Sequence, residues 1–471
     1  MQYSVVNYKT VKENSIFRID ADFYRADYLN YLQQIYKHEE YFLKKILHPT
    51  EIKRVYEERG IQILLAQNVR NNELDFSNVV FMSESAKEEL KRNKLQYDDV
   101  ILTRSGANFG QSASYKVADE IYACADVLVI KNSKEIKGGY LSTFLNTKQG
   151  KALLDRGSYG MAQPHIAPSY LYNLPIPRFD TNLENEINNL VNESEKYKFN
   201  SSSLYSQAEQ LLLSELGLLE WKPQHTLSFV KNYSNTKKAE RFDAEYFQPK
   251  YEEIIKAVKK YKGGFDELVN LVKVKKSVEP GSEAYQESGV PFVRVSNLSK
   301  FELSDNNQQF ISEELYSELK THQPKQGEIL LSKDATPGMA YYLNEEPQKM
   351  IVSGGILRLK IDNKQVLPEY LTLVLNSVIV QKQIERDAGG SIINHWRPDQ
   401  VKATIIPILK EAKQKEIKEL VEKSFNDRKL SKSLLEIAKR GVEMAIEKDE
   451  QEAEKWINGE ISWINGEISK L

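Results

Sequence analysis

Arg18-Ile-Asp-Ala-Asp-Phe-Tyr24 returns as Arg241-Phe-Asp-Ala-Glu-Tyr-Phe247, an offset of 223 (241 minus 18). The echo continues along the chain. Asp99-Val-Ile-Leu-Thr-Arg104 recurs as Glu328-Ile-Leu-Leu-Ser-Lys333, and Tyr140-Leu…Leu145-Asn146 as Tyr370-Leu…Leu375-Asn376. Leu174-Pro-Ile-Pro177 matches Ile406-Pro-Ile-Leu409, and Glu186-Ile-Asn-Asn-Leu-Val191 matches Glu416-Ile-Lys-Glu-Leu-Val421. Repeats of this length mark a duplicated domain and not the unit of a solenoid. Two similar modules on one chain suggest two similar targets.

Bulk composition narrows the class. A chain of 471 residues suits two to four domains. Hydrophobic content of 41% with 28% charged residues is that of an ordinary folded protein. The single cysteine, Cys124, forms no internal disulfide and rules out cysteine-cluster metal sites. No signal peptide and no membrane span are expected, and a cytoplasmic location fits. Lys+Arg 65 against Asp+Glu 67 gives net −2, unlike the basic balance of a dedicated DNA-binding domain. Local patches, however, decide phosphate binding, so the net charge does not exclude nucleic acid.

Each half opens on the Arg-x-Asp-Ala strip, followed by a helical pattern over 26–47 and 248–261. Short β-branched runs read as strands: Ile61 to Leu65, Val100 to Thr103 and Val127 to Ile130. Their counterparts are Pro291 to Val295, Ile329 to Ser332 and Gly355 to Lys360. Helices are expected over Tyr140 to Asp155 and Glu369 to Arg386, then a Gly-containing loop and a Pro-containing strand. The texture then changes. Leu183, Ile187, Leu190, Tyr197, Leu204, Ala208 and Leu211 recur at steps of four and three, with Ser194 and Ser201 in the same seam. Ile417, Leu420, Leu434 and Ala438, with Ser424 and Ser431, repeat the pattern, and Asp427 stands where Tyr197 does. Such a narrow stripe wants a partner helix, and each has a relative on the same chain. Parallel and antiparallel pairing both satisfy the pattern; the reading adopted is antiparallel. About 35 residues of helix span roughly 50 Å, the length of a ruler. Trp456-Ile-Asn-Gly-Glu-Ile-Ser462 is repeated without change as Trp463 to Ser469, and no function is assigned to it.

In this order, the elements resemble the specificity subunit of type I restriction-modification systems over residues 1 to 455. The resemblance rests on the duplicated series: Arg-x-Asp-Ala, Gln67-Asn68-Val69 against Ser296-Asn297-Leu298, the acidic-apolar strand into a turn, Tyr-Leu…Leu-Asn, Leu-Pro-Ile-Pro, and a long helix. It implies an α/β chain: two similar mixed α/β target-recognition domains (1–180 and 223–410) separated by two long helices (181–222 and 411–455) paired as an antiparallel coiled coil, with a tail at 456–471. It also implies a non-catalytic subunit that reads a bipartite double-stranded DNA target. Two modification (methyltransferase) subunits would carry S-adenosylmethionine, and restriction motor-nuclease subunits would use ATP with Mg; this chain would bind no cofactor or metal.

Arg and Lys read guanine and Asn and Gln read adenine, while small polar groups hold phosphates. In the first module this singles out Gln67, Asn68 and Arg70; Arg104, Ser105 and Asn108 in the Gly turn; and Ser158, Tyr159, Gln163 and His165. The second offers Arg294, Ser296 and Asn297; Lys333 and Thr336; and Ser391, Asn394, His395 and Trp396. Taken one at a time, each loop is equally a turn held by its own side chains. Trp396 and Tyr159 suit packing better than base stacking. The pairs Arg18/Asp20 and Arg241/Asp243 read as ion pairs locking each module's opening strip.

Other readings stay open. A scaffold or anti-restriction decoy binding the modification subunits suits the near-neutral charge. A nuclease would need Pro398-Asp399 with Glu411-Ala-Lys413 to gather Mg²⁺, but the first half has Pro168-Ser169 and no later acid-x-Lys. His165 and His395 lack a nucleophile or a metal-site partner. No phosphate loop is present, so motor chemistry belongs elsewhere.

Overall fold

The structure, a computed structural model, describes residues 5–13, 18–51, 53–106, 108–160, 163–305, 307–388 and 394–468. It divides into two compact units, Met1–Phe199 with Lys429–Leu471, and Asn200–Arg428. The sequence placed its boundaries at the ends of the long helices; the units instead divide within them. Packing explains this. Leu183, Ile187, Val191, Ala438 and Val442 belong to the core of the first unit, and Ala208, Leu212, Ile417 and Val421 to that of the second. Each module therefore folds around its own share of helix.

In the first unit, Ile46–Leu47, Val127–Ile130, Val100–Thr103 and Ser112–Ser114 form an antiparallel four-stranded sheet in that order. A second sheet orders Ile121–Ala123, Ile61–Leu64, Val80–Met82 and Tyr56–Glu57, its first pair parallel. The second unit repeats both. Val272–Lys276, Ile356–Ile361, Glu328–Ser332 and Ala340–Tyr342 form the antiparallel sheet. Gln309–Ile311, Val290–Val293 and Ile351–Val352 form the mixed one. Val100–Thr103 and Glu328–Ser332 are buried on both faces, as their unbroken apolar runs require. An acid starts each of these two segments. Asp99 meets Lys131 at 2.5 Å, and Glu328 takes a two-pronged bond from Arg358, Nε at 2.8 Å and Nη2 at 3.1 Å. Burial pushes the Glu328 carboxyl up, but the Arg358 guanidinium outweighs it and holds the group below the usual carboxylate range.

The residues repeated between the halves close backbone bonds. Asn146 accepts from the Ser112 amide at 3.4 Å and donates to its carbonyl at 2.7 Å; Asn376 does the same at Ala340, at 2.9 and 2.8 Å. Tyr140 and Tyr370, both fully buried, donate to the carbonyls of Pro177 and Pro407. These bonds tie the helix to the Pro-containing strand, which pairs antiparallel with Glu39–Tyr41 in one unit and Phe265–Glu267 in the other.

Three expectations change. The helix read over 26–47 ends at Ile35, because residues 39–41 are taken into the strand pair with Ile176–Arg178. The helices of the Tyr-Leu…Leu-Asn segments break into Gly138–Asn146 with Lys148–Arg156, and Pro368–Asn376 with Val378–Asp387. Thr147 turns extended at the break, and its hydroxyl caps the next helix at the Gly150 amide. The second spacer helix stops at Glu447 instead of 455, and a separate helix, Glu450–Ile468, carries the seven-residue repeat.

The long helices, Thr181–Glu215 and Glu411–Glu447, pair antiparallel in each unit. In the first, Ser194 Oγ lies 2.9 Å from Ser431 Oγ, and Ile187 packs by Gly441. In the second, Ser201 Oγ lies 3.2 Å from Ser424 Oγ, and Glu215 lies 3.7 Å from Lys413. All four serines are buried with their hydroxyls satisfied. The seam drifts past Ser201: Tyr205 and Leu212 are buried where Leu204 and Leu211 were expected, and Val421 where Leu420 was. A straight helix gains about 20° per heptad on a strict seven-residue stripe, which moves the buried positions by one. Ile457 and Ile464, equivalent in the two copies of the tail repeat, are both buried in the first unit's core.

Candidate nucleic-acid interface

The site begins where Val100–Thr103 and Glu328–Ser332 end, at the turns carrying Arg104 and Lys333. In both modules the same two backbone bonds fix this residue. Arg104 N donates to Asp126 O (3.0 Å) and Arg104 O accepts from Ile166 N (3.2 Å); Lys333 N donates to Gly355 O (2.9 Å) and Lys333 O accepts from Trp396 N (2.8 Å). A bridge then joins the following residue to a histidine: Ser105 to His165, and Asp334 to His395. The turn and the late loop of each module are thus stitched together.

The early loop joins them. In the first module Asn108 Nδ2 reaches Ala66 O at 3.4 Å, beside exposed Gln67. Exposed Gln163 faces Gly106, and the Arg18 guanidinium donates to Ser158 O at 2.9 Å, tying the opening strip to the cluster. Tyr159 and His165 exchange backbone bonds at 2.9 and 2.8 Å, with their rings 5.9 Å apart. In the second module a Cβ on Gly355 would stand 2.9 Å from Val295 Cγ2 and 3.5 Å from Asp334 Oδ2, so glycine lets the Val295–Asn297 turn, with exposed Ser296, meet the Lys333 turn. Ala335 N donates to Asn394 O at 3.0 Å, and Thr336 and Asn394 are exposed. Ser391 lies outside the described residues.

Several candidates are placed elsewhere. Asn68 and Asn297 are buried, and their amides are spent on the turn. Asn68 accepts from Leu65 N and donates to Asp75 O; Asn297 accepts from Arg294 N and donates to Ser304 O. They shape the loop and do not reach a ligand. Trp396, 1% exposed, belongs to the core. Arg294 bonds Asn307 O at 2.7 Å, and Arg70 sits in a hairpin whose Glu73 pairs with Lys198 at 3.2 Å. Asp399 pairs with Arg397, Glu411 with Lys415, and Lys413 with Glu416 and Glu215, so the nuclease constellation is not assembled. Among the described residues no His, Cys, Asp and Glu group could hold a metal, and no helix is long and apolar enough to cross a membrane.

Charge distinguishes the two clusters. Arg104 has no carboxylate partner among the described residues, and its Nη1 lies 3.2 Å from His48 Nε2. Lys333 is paired to Asp334, whose other oxygen stands 2.8 Å from His395 Nδ1. His48 and Asp334 were not among the residues singled out. His48 carries no sequence signal. Asp334 lies in the sequence between two chosen residues, Lys333 and Thr336. At the opening strips, Arg18 holds the Asp20 carboxyl down at about 2, and Arg241 lowers Asp243 in the same way.

No family model and no curated protein matches the chain. Among solved structures it is similar to the S subunit of a type I restriction-modification system from M. genitalium, at 11% identity over 91% of this chain and 94% of that one, with a TM-score of 0.35. It is similar to the HsdS subunit from Thermoanaerobacter tengcongensis at 12% identity over 86% of this chain and 97% of that one, with a TM-score of 0.27. A third structure, concerned with complex assembly and conformational transition of the type I R-M system, aligns at 13% identity over 87% of this chain and 100% of that one, with a TM-score of 0.27. These three structures come from type I restriction-modification systems.

Proposed function

We propose that this chain is a non-catalytic DNA sequence-specificity subunit that reads a two-part duplex target, one part per module. The observation that carries this reading is the loop cluster built twice from the same backbone bonds, Arg104 with Asp126 and Ile166, Lys333 with Gly355 and Trp396. Between these fixed points the outward side chains differ: Gln67 against Ser296, Arg104 against Lys333, Ser105 against Asp334. A repeated frame with changed side chains is what reading two different half-sites requires, since bases are told apart by side-chain donors and acceptors at their edges. The buried serine seam supports a spacer role for the paired helices. Methylation belongs to two partner subunits using S-adenosylmethionine, and cleavage to a motor-nuclease using ATP with Mg, all in the cytoplasm.

Methylome mapping of cells carrying the chain with its methyltransferase tests the reading. Deleting the chain is expected to abolish adenine methylation at a single two-part motif. If no motif is lost, the proposal fails. The scaffold reading draws on the net charge of −2; it expects the assembled complex to show no salt-dependent affinity for duplex DNA, where a reader loses affinity steeply as salt rises.

A further inference from the structure

The bridge that joins turn to late loop carries serine in one module and aspartate in the other. From this we infer that Asp334 is a specificity determinant: it withholds the second module's Lys333 from DNA phosphate, so that this module contributes discrimination while the first contributes sequence-independent grip. The inference rests on the proposed DNA-reading function.

Three observations carry it. Asp334 holds two neighbouring side chains at once, the Lys333 ammonium through one oxygen and the His395 ring through the other at 2.8 Å. At the equivalent point of the first module stands Ser105, and the adjacent Arg104 has no carboxylate partner among the described residues. A second acid reinforces the difference. Glu279 accepts from Gly354 N at 3.3 Å, while Asp334 lies against Gly355, so two carboxylates flank this turn. The matching turn of the first module, Ala125-Asp126, has one carboxylate, that of Asp126, paired with Arg54 at 2.8 Å, and His48 Nε2 lies 3.1 Å from Ala125 O. A fourth feature shows that the position is held under constraint. Ala335, next in the chain, sits at φ 60, where the first module has Gly106 at φ 88. An alanine held in left-handed backbone is strained, and the bond from its amide to Asn394 O helps to sustain that conformation.

The chemistry follows. A lysine tied to a carboxylate displaces no counterion at a phosphate, so it adds little to sequence-independent binding. A carboxylate facing a groove repels phosphate and accepts only from base amino groups, cytosine N4 above all. With His395 Nδ1 turned toward Asp334, the ring's Nε2 is left as the outward group. The second module is thereby built to be selective at the cost of grip.

The test measures binding of the full chain to random-sequence duplex DNA between 50 and 200 mM salt, for wild type, Asp334→Ser, Asp334→Asn and the reciprocal Ser105→Asp. Freeing one cation steepens the salt slope by about one, so both Asp334 variants are expected to lose about three- to fourfold more affinity than wild type across that range. Ser105→Asp is expected to flatten the slope by a similar amount. Asn keeps the turn-forming side chain, so equal behaviour of the Ser and Asn variants assigns the effect to charge. In methylome mapping, Asp334→Ser is expected to relax one half of the two-part motif and leave the other strict. Unchanged slopes in both Asp334 variants, or a motif strict in both halves, overturns the role of Asp334 and leaves DNA reading intact. A wild-type chain with no affinity for duplex DNA at 50 mM salt sinks the DNA-reading proposal itself.

Discussion

The two modules agree where side chains bond to backbone and differ where side chains face outward. Asn146 and Asn376, Asn68 and Asn297, Tyr140 and Tyr370 make matching bonds in both, each closing on a main-chain group. Around the loop cluster, by contrast, Arg104, Ser105 and Gly106 give way to Lys333, Asp334 and Ala335 on an unchanged frame. A buried amide that strands a carbonyl when lost fixes the residue type; an exposed position does not. Within one chain, then, sameness marks construction, and difference gathers where the frame leaves the side chain free to change.

The largest test of this comparison lies in the buried acid of each module. Arg358→Met leaves Glu328 enclosed with one amide bond, from Lys325 N at 3.1 Å, and with Lys275 Nζ 3.6 Å away, and is expected to destabilise the second module by about 3–5 kcal/mol, read as an early transition in denaturant unfolding. Lys131→Met should cost the first module less, because Asp99 keeps amide bonds from Gln96 at 2.8 Å and Asn132 at 3.0 Å. Equal losses would show that the amides do not compensate.

Asn146→Ala and Asn376→Ala probe sameness directly. Asn376→Ala strands the amide and the carbonyl of Ala340, whereas Asn146→Ala strands the Ser112 amide and leaves the Ser112 carbonyl its bond from Asn72 N at 2.8 Å; each is expected to cost about 1–3 kcal/mol in proteolysis-monitored unfolding. The serine seam gives a sharper contrast. Ser431→Ala strands the hydroxyl of Ser194, whereas Ser201→Ala leaves Ser424 its bond to the Ser201 carbonyl at 2.7 Å. The first is expected to cost about 1 kcal/mol more than the second, and the double replacement of Ser194 and Ser431 to recover most of that loss.

A smaller effect of opposite sign is expected at the turns. Ala335→Gly relieves a left-handed alanine and should stabilise the second module by about 1 kcal/mol, while Gly106→Ala should weaken the first by a similar amount. Thermal unfolding of the two variants reads both signs.

Much of this was legible in the sequence. The duplication, the main strand segments, the serine seam and the three polar loops of each module were all visible as patterns. The helix end at Ile35 was not, since residues 36–41 hold no Gly or Pro and only pairing with a strand 137 residues away decides it (177 minus 40). Nor were the breaks at Thr147 and Ser377: both residues turn extended, the Thr147 hydroxyl capping the next helix and the Ser377 hydroxyl donating back to Val374 O. Asn68 and Asn297 misled for a chemical reason: the amide that reads adenine is the amide that closes a turn. Burial alone separates these roles, and burial is a property of the fold.

The opening strips offer the finest test, because their ion pairs match while their surroundings do not. Both pairs are two-pronged, but Arg18 alone extends a third bond, to Ser158 O in the late loop. Hydrogen bonding from Arg18 lowers the Asp20 carboxyl to about 2 in the folded chain, against an ordinary value near 3.8. A group depressed on folding contributes stability that is complete above its unfolded value and is lost as pH falls through the folded one. The first module should therefore weaken between pH values of about 4 and 2, and Asp20→Asn should remove that part of its acid dependence. Both partners are partly open to solvent, so the amplitude is small. What distinguishes the modules is the consequence for the loop. Releasing Arg18 frees the 158–165 loop from the strip, so hydrogen exchange at Tyr159 and His165 should rise in Asp20→Asn. Asp243→Asn breaks a pair with no such bond to the late loop among the described residues, and exchange at Asn394 and His395 should stay as in wild type. If both loops loosen alike, the strips act on the loops through the module as a whole and the third bond of Arg18 carries no separate role.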